Sequence, residues 1–480
     1  MALVLVTFAF VAVHLLFSAE IFPIPARLLG AAVGVLTFVI VRRADRSHSP
    51  FLEFAAVQVY VYFGLATFWN QELATIDGPI MLSDTAINQA ALSGFVMLLC
   101  FFLASFPGER VGGRTRERWG AIVPSSTGDR FELAVRIVAV ALGLAFVAHT
   151  LFRHSIPAGI AQPIAILARP PIAQALLGES MRRNPTRTNR LLWWGYTGAA
   201  MFAGVLSGML KEVFVPLLTA LYLLWLFRSR VPKTIVFVMI AAFVIVNPAK
   251  HAFRRAKIDK LELGESVGVT DTVSLWTDAF SSTWLTDEHE AIDENLAVNT
   301  SRVSALLNVA HAFEWIPVQV PFTGGERWLA IPSAYIPRFL WPDKPNMTRL
   351  HNGEYALAFD LQTESALEHT AVNFPLPTDG YWAYGWPGVV FVALCVGFLF
   401  GFYRGAFRAI GWGEIVVSVG ILPYIVPHQH FAQHVTGVPQ RLLVFFAVAW
   451  AVQLLSTALG AKEHAGGTRG TWRERANPGL

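Results

Sequence analysis

The sequence predicts an all-α polytopic membrane protein with about twelve transmembrane helices and one large loop domain. Three observations predict it. Hydrophobic residues make up 54% of the 480 residues and charged residues only 15%, where ordinary soluble domains carry about 25% charged. Mean hydropathy is +0.48. The apolar residues gather in runs long enough to cross a bilayer, with clusters of Arg and Lys between them. This balance excludes a soluble enzyme, a disordered chain and a disulfide scaffold. The two cysteines, Cys100 and Cys395, both lie inside apolar runs.

The runs lie at about 3–17, 25–41, 51–69, 85–106, 131–152, 191–208, 213–228, 233–249, 386–402, 409–427 and 437–458. None alternates in the manner of a lipid-facing strand, so helices that satisfy their own backbone are expected. A further run, 156–178, is broken by Pro157, Pro163, Pro170 and Pro171 and carries Arg169. Six basic clusters set the direction: Arg42 to Arg46, Arg110 to Arg118, Arg182 to Arg190, Arg228 to Lys233, Arg404 with Arg408, and the tail from Lys462 to Arg475. Positive-inside bias puts all six in the cytoplasm. Two crossings then separate neighbouring clusters only if 156–178 counts as a proline-broken span. Both termini are expected inside. The first run lacks a basic leader and a good cleavage signal, so it is read as a retained helix.

Four regions follow: N-terminal helices 1–249, a loop domain 250–385, C-terminal helices 386–459 and a Gly- and Arg-rich tail 460–480. By parity 250–385 faces outward. It is too long for an idle connection, and it carries 10 Lys/Arg against 18 Asp/Glu. That acidity fits an outer loop and argues against nucleic acid. Helix is expected around 271–313, then turns from Pro317 to Pro345.

Chemistry concentrates in Ile336-Pro337-Arg338-Phe339-Leu340-Trp341-Pro342-Asp343-Lys344-Pro345. Three prolines stiffen the backbone. They hold a planar guanidinium, Arg338, and a compact ammonium, Lys344, in set directions beside a membrane. Two such cations suit a diphosphate; a basic loop that meets lipid head groups is the plainer reading. Downstream lies Thr378-Asp379-Gly380-Tyr381-Trp382-Ala383-Tyr384-Gly385-Trp386-Pro387-Gly388.

The first stretch resembles the "PR-x-[LI]-W-P-x-KP" signature of Wzy-type oligosaccharide repeat-unit polymerases, the O-antigen and exopolysaccharide polymerases. The second is similar to that family's "E-x-Y-x-N-F-G-x-x-G", with Asp379 at the acidic position, Gly385 and Gly388 at the glycines, and Ala383 where the family has Asn. Arg302, Pro317, Gly324 and Gly325 fit its lead-in. The closest likeness covers roughly 300–400. The resemblance implies a glycosyltransferase of the bacterial inner membrane. Such enzymes join repeat units carried on undecaprenyl diphosphate at the periplasmic face, without metal or cofactor. A flippase and a chain-length regulator are the partners it implies, besides the bilayer. Arg302, Arg338 and Lys344 would hold the diphosphate, with Lys211 or Arg441 beneath. Asp379 would take the acceptor's proton or orient Arg338.

Other residues carry weaker signals. Lys211 with Glu212 interrupts an apolar stretch at the outer edge, where ionisable residues are functional by default. Arg254 and Arg255 follow a helix, where snorkelling to head groups is the plain reading. His430 and His434, in His428-Gln429-His430-Phe431-Ala432-Gln433-His434, share a helical face. No cysteine or carboxylate adjoins them in sequence, so a polar lining or one catalytic histidine is expected rather than metal. His311, His369 and Tyr381 are further candidates, the histidines because they titrate near neutral pH. Glu288-His289-Glu290 reads as a solvated face. The chain has no P-loop, nucleotide fingerprint or G-x-S-x-G. An O-antigen ligase-type transfer to a lipid acceptor is the nearest rival function. A non-enzymatic flippase or transporter is the rival of another class, disfavoured by the lack of a visible repeat.

Overall fold

The computed structural model describes residues 2–43, 50–68, 73–75, 78–122, 129–152, 170–207, 210–228, 233–262, 268–284, 305–336, 340–341, 343–364, 367, 372, 374–407 and 429–459. These residues are helical almost throughout. Among the described residues, five helical segments are long and apolar enough to cross a membrane: Ile24–Arg42, Phe51–Phe68, Asp84–Glu117, Leu376–Ala406 and Phe431–Ala458. The expected span 409–427 and the tail lie outside the described residues. So does most of 156–178, whose described part belongs to a 14-residue helix, Pro170–Arg183.

Among the described residues the apolar runs form helices where they were read, but several helices run on into polar sequence. α4, Asp84–Ile122, continues past residue 106 through the basic cluster. α9, Lys233–Glu262, continues past 249 and carries Arg254 into the loop domain. Arg, Lys and Glu are good helix formers, so a helix leaving the apolar phase need not stop. One short antiparallel hairpin, Leu73–Thr75 with Gly78–Ile80, was not foreseen. In the loop domain, helix occupies Val269–Trp284 and Leu306–Trp315, and a 3₁₀ helix occupies Glu326–Tyr335.

The centre of the molecule is the pair α4 and α13, where α13 is Leu376–Ala406. Glycines let the two backbones touch. A β-carbon on Gly401 would overlap the Ser105 carbonyl, one on Gly108 the Phe398 carbonyl, and one on Gly112 the Phe402 carbonyl. This is the small-residue seam by which helices associate without a hydrophobic driving force.

α13 is also broken. Tyr384 and Gly385 leave helical geometry, and Gly385 has φ +65°, a value that favours glycine. The break frees carbonyls of the short first half. Thr323 N–H donates to Trp382 O at 2.9 Å and Gly324 N–H to Ala383 O at 3.1 Å, so the turn before the 3₁₀ helix caps that half. Inside a membrane protein, broken helices persist only where other protein groups resatisfy the backbone.

Candidate functional site

Asp379 lies in the first turn of α13, on the half before the break. It is 3% exposed. Trp328 Nε1–H donates to its Oδ1 at 3.2 Å, and the Phe431 N–H donates to its Oδ2 at 2.7 Å. Phe431 opens α14, Phe431–Ala458, so the carboxylate caps that helix and faces the positive end of its dipole. Asp379 thus joins three elements: the half-helix, the 3₁₀ segment and the last helix.

Arg327 stands beside it, one residue before Trp328. It is 8% exposed, and its guanidinium lies over the Trp382 ring at 3.3 Å from the centroid. Its Nε is 3.5 Å from Glu354 Oε2. Burial holds the guanidinium below its usual pKa, while the charges of Asp379 and Glu354 pull it back up. Its Nη1 is buried and meets no acceptor among the described residues. A stacked, ion-paired cation with a spare N–H is a preorganised anion donor.

Two histidines complete the cluster. His351 lies in the turn Arg349–Gly353 and is fully buried; His430 is the N-cap of α14. Their rings stack at 4.3 Å with 9° between planes. Burial and the Arg327 cation hold His351 down at about 4. Burial, then the neighbouring His351, His434 and Arg327, hold His430 well below the usual histidine range. Both rings are therefore neutral at pH 7. Donor atoms of His351, His430 and Asp379 lie within 4.8 Å of one another.

The chain matches the model of a family described as Domain of unknown function (DUF8712) over residues 142–404, more than half its length. The chain belongs to this family. The match covers the broken α13, the 3₁₀ segment, Arg327, His351 and Asp379, and it ends before α14. No curated protein matches the chain, and no solved structure matches it.

Of the residues singled out from the sequence, Asp379, His430 and His434 meet here. His434 is buried one helical turn beyond His430. Lys344 is buried, and its ammonium donates to Ile336 O at 2.6 Å and to Ala334 O at 3.5 Å. These bonds link Lys344 to the C-terminal end of the 3₁₀ helix. Gln440 of α14 donates to the same Ala334 carbonyl at 2.9 Å, and Tyr335 Oη donates to Val435 O at 2.7 Å. The end of the 3₁₀ helix is thereby tied to α14. Arg302, Arg338, His369 and His428 lie outside the described residues.

Other candidates sit elsewhere. His311 is buried, its Nε2 3.0 Å from Phe359 O and its ring edge-on to Trp315. Tyr381 stacks on Phe313 at 3.9 Å. Both serve aromatic packing. Arg441 is half-buried on α14, Arg254 half-buried on α9, and Lys211 lies in the first turn of the helix Leu210–Arg228. Sequence reasoning missed Arg327, His351 and Glu354. Gly324-Gly325 was noted as a motif position, and the Arg two residues on was the available signal.

Proposed function

We propose that this chain is an inner-membrane glycosyltransferase that polymerises undecaprenyl-diphosphate-linked oligosaccharide repeat units at the outer face. One observation carries the reading: Arg327, a buried cation with an uncommitted N–H, stands beside Asp379 at the break of a membrane-type helix. The likeness of 336–345 and 378–388 to Wzy-type polymerases supports it, and the second stretch carries Asp379. The basic clusters support the full topology of about twelve spans, with both termini inside and 250–385 outside.

In this reading the acceptor hydroxyl attacks the anomeric carbon of the donor's reducing-end sugar. The bond from that carbon to diphosphate breaks, and undecaprenyl diphosphate leaves with the electron pair. Arg327 holds the charge that develops on the leaving group, joined by Arg302 and Arg338. The acceptor's proton passes to the departing diphosphate, whose terminal oxygens are basic near neutral pH. Asp379 is then a positioning residue: its oxygens accept N–H groups from Trp328 and Phe431, and its charge balances Arg327. Lys344 shapes the loop through the carbonyls it binds.

The test is complementation of a deletion strain with Arg327→Lys and Asp379→Asn, both checked for normal protein level. Single repeat units should replace long chains on a glycan gel. Unchanged chain length in Arg327→Lys would refute the reading. Full-length polymer that stays on undecaprenyl diphosphate would point instead to ligase-type transfer.

A further inference from the structure

We infer that His351, His430 and Asp379 form a binding site for one divalent transition-metal ion of the zinc class. The inference stands apart from the polymerase reading, since it concerns binding and not the reaction.

The donor set comes first. Two imidazoles and one carboxylate are the ligands of zinc sites that keep a fourth position open. Hard cations such as Mg²⁺ and Ca²⁺ prefer all-oxygen sets, so the two ring nitrogens select against them. The three donor atoms lie within 4.8 Å of one another. Metal–nitrogen bonds of about 2.0–2.1 Å would draw them closer, and one imidazole turns out of the parallel stack on binding, because ring-nitrogen lone pairs lie in the ring planes. The ligands can approach because they sit on separate pieces of chain: the turn Arg349–Gly353, the cap of α14 and the half-helix of α13.

The unmet nitrogens are the independent observation. His351 is 0% exposed, and among the described residues neither of its ring nitrogens has a hydrogen-bond partner. His430 is 5% exposed, and its Nδ1 has none. A buried ring nitrogen without a partner is costly to keep, and two stacked against each other call for an explanation. Stacking alone does not explain them, because a phenyl ring stacks without the cost.

The surroundings fit a ligated carboxylate. Trp328 N–H and the Phe431 N–H each hold one oxygen of Asp379, as outer partners fix metal ligands, and a second lone pair on either oxygen is left for an ion. The opposing feature is Arg327, whose positive charge is felt at both histidines. Two anions, Asp379 and Glu354, offset it. The cation also sets what completes the coordination: an anionic oxygen, as of a phosphate, suits a metal that stands next to Arg327.

The test uses the full-length protein in detergent, stripped with chelator and titrated with Co²⁺ and Zn²⁺. One equivalent of Co²⁺ should bind and show visible absorption of a low-coordinate nitrogen–oxygen site, and Zn²⁺ should displace it. His351→Phe keeps the stacked ring and removes the nitrogens; it should weaken binding by at least roughly 10–100-fold. His430→Phe and Asp379→Asn should do the same, while His311→Gln, a buried histidine outside the cluster, should leave binding unchanged. No stoichiometric binding to the wild type would overturn the site, as would equal affinity in His351→Phe. Should a variant fail to fold, X-ray absorption of the zinc-loaded wild type decides. Two imidazoles with oxygen are expected, and an all-oxygen shell would overturn the assignment. Glycan polymerisation enters none of these readouts, so failure here leaves the polymerase reading to its own test.

Discussion

Arg327→Ala should destabilise the protein by about 1–3 kcal/mol, since it removes the cation whose charge acts on buried Asp379 and breaks the ion pair with half-exposed Glu354. The magnitude follows from the burial. Asp379 is 3% exposed and Arg327 8% exposed, so the carboxylate left behind has little access to water. The stack on Trp382, at 3.3 Å, would be lost as well, and such contacts are worth roughly 0.5–2 kcal/mol. The two losses overlap, because one guanidinium makes both. Arg327→Lys keeps the charge but not the planar stack, and should cost less. The coupling is the sharper quantity. With Asp379→Asn, the double variant should lose less than the two singles together, by about 1–3 kcal/mol for residues in one network. The chain has 15 tryptophans, so tryptophan fluorescence during SDS-titrated unfolding of the detergent-solubilised protein follows its global stability. Additivity to within about 0.5 kcal/mol, or an Arg327→Ala loss under about 1 kcal/mol, would refute the electrostatic pairing argued from this geometry.

Gly401→Val should break the seam between α4 and α13, because its β-carbon would overlap the backbone of Ser105; a loss of at least about 1–3 kcal/mol is expected. Gly195→Ala, where nothing lies within 4 Å, should be neutral or stabilising by up to about 1 kcal/mol, and equal melting shifts for the two would contradict the seam. Burial lowers the His311 pKa, against the pull of the Phe359 carbonyl, Asp360 and Glu314. Its neutral form is the folded one. The stability it contributes is therefore present above about pH 6.5 and is lost as pH falls toward the depressed folded value, at up to about 1.4 kcal/mol per pH unit. Melts of His311→Gln and wild type from about pH 7 to pH 5 should show a smaller slope for the variant, by up to one proton, and identical slopes would count against it. A single cysteine at Val318, which is 85% exposed, should be labelled from outside intact cells and one at Arg187 should not; the reverse pattern would overturn the topology.

The helices were legible because apolar runs must become helices in a bilayer. Their ends were less so: α4 and α9 run on through charged residues with high helix propensity, where hydropathy sees only a loop. The break at Tyr384 and Gly385 left a trace in Gly385-Trp386-Pro387-Gly388, read from the sequence as the lead into a helix rather than as the join of two halves. Asp379 was legible from its motif. Arg327 and His351 were not, since they reach Asp379 only through the fold, from 52 and 28 positions away. The histidine pair shows the same limit. His430 lacks a carboxylate neighbour in sequence, and the tertiary structure supplies one.

The central claim is chemical and can be tested with the purified protein in proteoliposomes, supplied with an undecaprenyl-diphosphate-linked repeat unit from its own host. The account predicts a ladder of products spaced by one repeat unit, with one undecaprenyl diphosphate released per new linkage, and no ladder from Arg327→Ala. Substrate returned unextended by folded wild-type protein, or a ladder of equal length from Arg327→Ala, would contradict it.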